Sequence, residues 1–153
     1  MDDKKSSAVV VEMMADIEEI IGQHYQAYAQ KFPEQKDFWT TLVSEENHHA
    51  QWIRAMYSKV GDGLVSLNEK RFNAESIREF QARLAEMLKN LRGKEMSIKD
   101  ALEESLSIEK MLLEKNFFEV FQTKSPEILE IVTRIVEETR SHRGRIEQML
   151  EKY

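Results

Sequence analysis

Apolar residues recur every three or four positions along most of this chain, a spacing that places side chains on one face of an α-helix. In the first segment this stripe consists of Val10, Met14, Ile17, Ile21, Tyr25, Tyr28 and Phe32. No segment alternates between apolar and polar residues over a useful length, as a half-buried β-strand would. The pattern predicts an all-α protein.

Residues that favour helix ends divide the first half of this pattern. The first predicted helix runs from about Ser7 to Phe32. Pro33 suits the first turn of a second helix, because the N–H that proline lacks would have no intrahelical partner there. Gly61-Asp62-Gly63 is expected to end that helix. Its inward positions are Leu42, Val43, Glu46, His49, Ile53, Met56 and Val60.

A shorter third helix follows a predicted linker over residues 61–73. Asn73 is its expected N-cap, its apolar stripe reaches about Leu91, and Gly93 terminates it.

Two more helices have recognisable start signals. Ser97 and Asp100 have the spacing of a capping box, with Asp in place of Glu, and open a helix to about Gln122. Ser125-Pro126-Glu127 combines an N-cap, a first-turn proline and an acidic first turn, and starts a last helix to about Glu151. A chain of 153 residues fits one domain, so we predict a single helical domain over 1–153.

Composition narrows the chemistry available to this domain. The chain contains no cysteine, which excludes disulfides, thiol catalysis and thiolate metal sites. Metal ligands would therefore be carboxylates and histidines, which suit iron, manganese or zinc. The four histidines are His24, His48, His49 and His142.

Charge and hydropathy narrow the expected partners. The net charge of -6 is dispersed along the chain, whereas a nucleic-acid surface would need a basic stripe. The apolar runs are too short to cross a membrane, and the N-terminus lacks the apolar stretch of a secretory signal. We therefore expect a cytoplasmic protein that binds neither nucleic acid nor membrane.

The most specific motif is Glu46-Asn47-His48-His49 in the second predicted helix. Residues three apart share a helix face, so Glu46 and His49 can point at one ion. Glu18, Glu109 and His142 lie in the first, fourth and fifth segments. Di-iron helical bundles use one Glu from each of two helices and a Glu-x-x-His from each of the other two. One position departs from this set, because Thr139 stands three residues before His142.

A weak internal repeat relates the two halves of the chain. A shift of 93 residues lays His49 on His142 and Glu46 on Thr139, and a shift of 91 lays Glu18 on Glu109. Two similar helical hairpins joined by a crossover would produce this repeat. Because helices generally share apolar periodicity, the repeat alone is weak evidence.

Hairpin geometry gives a sharper test of whether these residues meet. Glu18 and Glu46 each lie 14 residues from Phe32, and Glu109 and Thr139 each lie 15 residues from Lys124. At a rise of about 1.5 Å per residue, all four positions lie roughly 21–23 Å from their turns. If both turns are at one end of the molecule, the four positions fall in one layer.

At these residues the chain resembles the rubrerythrin branch of the ferritin-like superfamily. The stretches that carry the resemblance are residues 18–25, Glu45-Glu46-Asn47-His48-His49-Ala50 and Ile108-Glu109-Lys110. The resemblance implies a four-helix bundle with an additional crossover helix between the second and third bundle helices. It also implies metal ligation by Glu18, Glu46, His49 and Glu109, with Tyr25 packed beside the metal.

Three features depart from that family. Thr139 replaces a ligand carboxylate, and Glu138 beside it is turned about 100° around the helix and is a poor substitute. Asn116 stands where the family has a tyrosine. The absence of cysteine excludes a rubredoxin module within this sequence, so the electron donor would be external.

Two functional hypotheses follow. The first is a metal-binding protein with one or two ions, most readily iron, held by Glu18, Glu46, His49, Glu109 and His142. If it is an enzyme, it would be a non-haem iron oxidoreductase that oxidises Fe(II) with O₂ or peroxide. The second is a metal-free helical module for interaction or assembly, in which the same residues form a buried polar network.

Three finer expectations accompany these hypotheses. The loss of a carboxylate at Thr139 predicts a tighter metal position at Glu18, Glu46 and His49 and a looser one near His142. Glu45 and His48 are expected to form a solvated or interface pair. A homodimer is expected, with Phe38, Trp39 and Trp52 as candidate interface residues.

Overall fold

The computed structural model describes residues 3–67, 74–114 and 121–153, and it confirms the all-α class. Its helices are α1 (Asp3–Lys31), α2 (Lys36–Gly61), α3 (Ala74–Leu91), α4 (Ile98–Glu114) and α5 (Pro126–Leu150). Two short strands accompany them, β1 (Val65–Leu67) and β2 (Phe121–Thr123). The expected N-cap Asn73 and the departure at Asn116 lie outside the described residues.

The two strands correct the prediction in two places. Residues 65–67 lie in the predicted linker, and residues 121–123 overlap the end of the helix predicted to reach Gln122. The strands pair antiparallel, with Val65 opposite Thr123 and Leu67 opposite Phe121. Val65 and Phe121 are buried, so packing and pairing between distant segments override the local helical periodicity.

The ends of α2 also differ in part from prediction. Pro33 opens a 3₁₀ turn over Pro33–Gln35, and α2 begins only at Lys36. The C-terminal end is as predicted. Gly63 has a φ of 77°, and Leu64 N–H donates to the carbonyl of Lys59 at 2.9 Å. This is the Schellman pattern, in which a glycine in the left-handed region ends the helix.

Both predicted start signals of α4 and α5 are confirmed. Asp100 N–H donates to Ser97 Oγ at 3.1 Å, and Ser97 N–H donates to Asp100 Oδ2 at 3.2 Å, which is a reciprocal capping box. Ser125 Oγ accepts from Ile128 N–H at 3.5 Å, and Pro126 occupies the first turn of α5.

The helices form two hairpins, α1 with α2 and α4 with α5, and α2 also packs against α5. α3 packs against α1 through Ile77, Phe80 and Leu84. His24 of α1 is fully buried there, and its Nε2 donates to the carbonyl of Leu84 at 3.0 Å. The hairpins place the inner faces of α1, α2, α4 and α5 around a common core.

An aromatic cluster fills part of this core beside α1. Trp39 is fully buried, with ring centroids 5.7 Å from Tyr25 and 4.9 Å from Tyr28. Trp39 is therefore unavailable for the dimer interface proposed for it, while Phe38 and Trp52 are half-buried. Among the described residues, no helix is both long and apolar enough to cross a membrane.

Candidate metal centre

Four helices bring the predicted ligand residues into one buried cluster. Glu18 comes from α1, Glu46 and His49 from α2, Glu109 from α4 and His142 from α5. Each side chain is at most 1% exposed. Burying three carboxylates and two imidazoles in a small domain is costly unless they find partners or a metal.

Helix periodicity explains why each of these residues points inward. Ile17 and Ile21 flank Glu18, and Ile108 and Leu112 flank Glu109, with all four apolar side chains buried. The apolar face of each helix packs into the core, so the carboxylate that lies on this face is buried as well. The three-residue spacing then turns His49 to the same face as Glu46.

The cluster divides into two triads that share one residue. One triad is Glu18, Glu46 and His49, and the other is Glu46, Glu109 and His142. Within each triad, one potential ligand atom per residue lies within 4.8 Å of the others. Each triad thus contains one carboxylate and one histidine of its own, and Glu46 belongs to both triads.

The two oxygens of Glu46 face different histidines. Oε1 lies 3.0 Å from Nδ1 of His142, and Oε2 lies 3.7 Å from Nδ1 of His49. The two imidazole rings are nearly parallel, with centroids 5.6 Å apart and an interplanar angle of 20°. A carboxylate in this position has the geometry of a bridge between two ligand sets.

The two outer carboxylates are placed differently. Glu18 Oε2 lies 3.9 Å from Nδ1 of His49, and Glu109 Oε1 lies 3.3 Å from Nδ1 of His142. Tyr25 donates its phenolic hydrogen to Glu109 Oε1, so this carboxylate is held by a residue of α1.

In the metal-free protein, the cluster favours protonated histidines beside its carboxylates. Burial opposes protonation of both histidines, but their carboxylate neighbours outweigh it and raise the pKa of His49 to about 10 and that of His142 to about 12. Burial, with the adjacent Glu46 carboxylate, raises the pKa of Glu18 well above its usual range. Burial acts the same way on Glu46, but its interactions with Glu18 and the two histidines lower its pKa.

Several of these buried atoms lack hydrogen-bond partners among the described residues. They are both oxygens of Glu18, Oε2 of Glu46 and of Glu109, both ring nitrogens of His49, and Nε2 of His142. Buried carboxylate oxygens without donors are costly in a protein interior, and a cation would satisfy them. The donor set of carboxylate oxygens and imidazole nitrogens fits iron, manganese or zinc.

Two residues beside this cluster make contacts with its histidines that were not predicted from the sequence. Glu45 was expected to form a solvated or interface pair with His48, but its Oε2 lies 3.3 Å from Nε2 of His142. Glu138 was judged a poor substitute ligand and it lies outside both triads, but its Oε1 lies 3.6 Å from Nε2 of His49. The available signal was the shift of 93 residues, which lays Glu45 on Glu138 as it lays His49 on His142.

Thr139 is buried but directed back to its own helix. Its Oγ1 donates to the carbonyl of Ile135 at 2.7 Å. The expectation of a looser position near His142 rested on this threonine. The two triads contain the same residue types, so donor number alone does not support that asymmetry.

The other two histidines lie outside the triads. His48 is exposed and stacks on Trp52, with ring centroids 6.1 Å apart. His24 is hydrogen-bonded between α1 and α3, and burial lowers its pKa.

Comparisons of the chain with protein-family models, curated proteins and solved structures give no significant match.

Proposed function

We propose that this protein binds two transition-metal ions in a ferritin-like four-helix bundle formed by α1, α2, α4 and α5. The observation that carries the proposal is the pair of buried triads that share Glu46. Glu18 and His49 would hold one ion, Glu109 and His142 the other, and Glu46 would bridge them. Three carboxylates leave two divalent ions with a net charge of about +1, a smaller charge to bury than that of either ion alone.

Iron is the metal we propose, on the donor types and on the resemblance to rubrerythrins, with manganese and zinc as competitors. Bound iron would supply one-electron chemistry with O₂ or peroxide. The protein would then be an oxidoreductase in iron or peroxide handling, supplied by an external electron donor.

The chain's own residues have distinct parts in this function. Tyr25 orients Glu109 by its hydrogen bond. Burial raises the pKa of Glu18 and so favours its protonated form, whereas a bound cation would favour its carboxylate. The buried apolar side chains that flank the ligands exclude water, which strengthens every electrostatic contact in the cluster.

Metal stoichiometry is the first test. Protein freed of metal by a chelator is loaded separately with Fe(II), Mn(II) or Zn(II), desalted and analysed for metal content. We expect about two ions per chain for at least one metal. Glu137, an exposed residue of α5, provides a control, since Glu137→Gln should bind like the wild type. A chain that retains none of the three metals would contradict the proposal.

A second candidate is the metal-free interaction module, because charged histidines already neutralise part of the cluster. His142 Nδ1 lies 3.0 Å from Glu46 and 3.3 Å from Glu109, which are ion-pair distances. On this reading the cluster is a buried ion-pair network that fixes how the helices pack.

Melting temperatures separate the two candidates. If the metal function holds, zinc at 100 times its dissociation constant stabilises the wild type by about 2.7 kcal/mol. The double variant Glu46→Gln/His49→Gln should lose that gain. If zinc leaves the melting temperature of the wild type unchanged, the metal-free candidate is favoured.

A further inference from the structure

Glu45 and Glu138 lie outside the triads, yet each contacts a triad histidine. Both carboxylates are partly accessible, with 25% and 23% of their side chains exposed. Each lies on the outer side of an imidazole ring, opposite the nitrogen that faces the triad. Neither residue is a ligand in the proposed metal function.

The contacts cross between helices. Glu45 precedes Glu46 on α2 but approaches His142 of α5, with Oε2 3.3 Å from Nε2. Glu138 precedes Thr139 on α5 but approaches His49 of α2, with Oε1 3.6 Å from Nε2. The two contacts are therefore reciprocal, and they follow the same 93-residue relation as the histidines themselves.

Each carboxylate is also held from the solvent side by an arginine. Arg145 Nη2 donates to Glu45 Oε2 at 2.7 Å, and Arg134 Nε lies 3.4 Å from Glu138 Oε2. Arg134 in turn lies over the Trp52 ring, with its guanidinium carbon 4.9 Å from the ring centroid. These contacts favour positions of the two glutamates beside Nε2 of the two histidines.

A histidine offers a metal only one of its two ring nitrogens. The orientation of the ring is set by the partner of the other nitrogen, and removing such a partner typically costs about 10- to 100-fold in metal affinity. In this protein both Nδ1 atoms face the triads, and both Nε2 atoms face an outer carboxylate.

We propose that Glu45 and Glu138 are positioning residues, each holding the histidine of the opposite helix through an ion-pair contact at Nε2 so that Nδ1 faces Glu46. The pairing also ties α2 to α5 twice at the level of the cluster. For metal affinity the proposal rests on the proposed function, but the pairing itself exists without metal.

The pairing is tested first on metal-free protein by ¹⁵N and ¹H NMR of the imidazole groups. Glu138→Ala should shift the Hε2 resonance of His49 and speed its exchange with water, while the His142 resonance stays unchanged. Glu45→Ala should do the reverse. Glu137→Ala is the matched control on an exposed position of α5 and should change neither resonance. A Glu45→Ala effect on His49 rather than on His142 would overturn the cross-helix assignment.

Zinc affinity, measured by competition with a chelator, tests the consequence for binding. Glu138→Ala and Glu45→Ala should each weaken binding by about 10- to 100-fold. Unchanged affinity in both Ala variants would overturn the positioning role. If the wild type binds no zinc while the NMR pairing holds, the proposed metal function fails and the pairing stands.

Discussion

Oε1 of Glu46 lies 3.0 Å from Nδ1 of His142, although the two residues are 96 positions apart and belong to different hairpins. Glu46 also serves the triad of His49. One carboxylate thus belongs to both triads of the cluster. Its removal should therefore affect metal binding at both positions, whereas removal of an outer glutamate should affect only one.

The first prediction concerns this shared role. Glu46→Gln should reduce zinc binding at both positions, whereas Glu18→Gln and Glu109→Gln should each reduce binding mainly at one. Glu46 is an anionic ligand common to both triads, so its removal weakens metal binding at both positions. Glu18 and Glu109 each belong to one triad. Metal content after loading and desalting measures the effect. Equal losses in all three variants would argue against a bridging Glu46.

The second prediction concerns pH and metal binding. A metal binds deprotonated imidazole, and the pKa values of His49 and His142 in the metal-free protein are raised to about 10 and about 12. Zinc must therefore displace protons at neutral pH, and its affinity should rise as the pH rises from about 6 to about 9. Calorimetry in buffers of different ionisation enthalpy measures the protons released. Binding without proton release would show that the histidines are not ligands.

The third prediction concerns the stability of the metal-free protein. The folded pKa values of both histidines lie above the unfolded value of about 6.5, so their contribution is present below that pH and declines toward pH 10. The raised pKa of Glu18 acts in the same direction. We expect the free energy of unfolding in urea to fall as the pH rises above about 6.5. His142→Gln should reduce this slope, and a stability that increases toward pH 9 would contradict the prediction.

The fourth prediction concerns Tyr25. Tyr25→Phe leaves the buried Glu109 carboxylate without its phenolic donor, at a cost of about 1–3 kcal/mol. Tyr28 is equally buried and makes no hydrogen bond to a triad carboxylate, so Tyr28→Phe is the matched control and should cost less. Urea unfolding of both variants provides the comparison. Equal costs would mean that the Tyr25 hydroxyl contributes nothing specific to Glu109.

The fifth prediction concerns Thr139. Thr139→Glu adds a fourth buried carboxylate, which should destabilise the metal-free protein and increase its stabilisation by Fe(II) or zinc. Thr139→Val removes only the hydroxyl that donates to Ile135, so it should change metal binding little. Melting temperatures with and without metal distinguish these effects. A Glu variant that gains no metal-dependent stabilisation would show that position 139 does not reach the cluster.

Much of the local structure was determined by residues close together in the sequence. The capping box of Ser97 and Asp100, the N-cap Ser125 and the glycine that ends α2 all act within one helical turn or loop. The inward direction of Glu46 and His49 also follows from helical spacing alone. Such features are predictable because they depend only on the helical period of about 3.6 residues and on a few local backbone conformations.

The short strands were not predictable in the same way. β1 and β2 have three residues each, and each is stable only through pairing with a segment more than 50 residues away. Three residues are too few to show alternation, and the apolar residues at 117, 118 and 121 continue the helical spacing of α4. Pairing with the other strand therefore determines the extended conformation of each segment.

For the cluster, the sequence determined which residue types point inward and at what height along their helices. The symmetric distances from the two turns placed Glu18, Glu46 and Glu109 in one layer, and the three glutamates are indeed buried in one cluster. Only the tertiary structure decided which groups meet across helices. The pairs of Glu45 with His142 and of Glu138 with His49 depend on how α2 and α5 are rotated against each other, and packing between the helices sets that rotation. Periodicity along one helix contains no information about that angle.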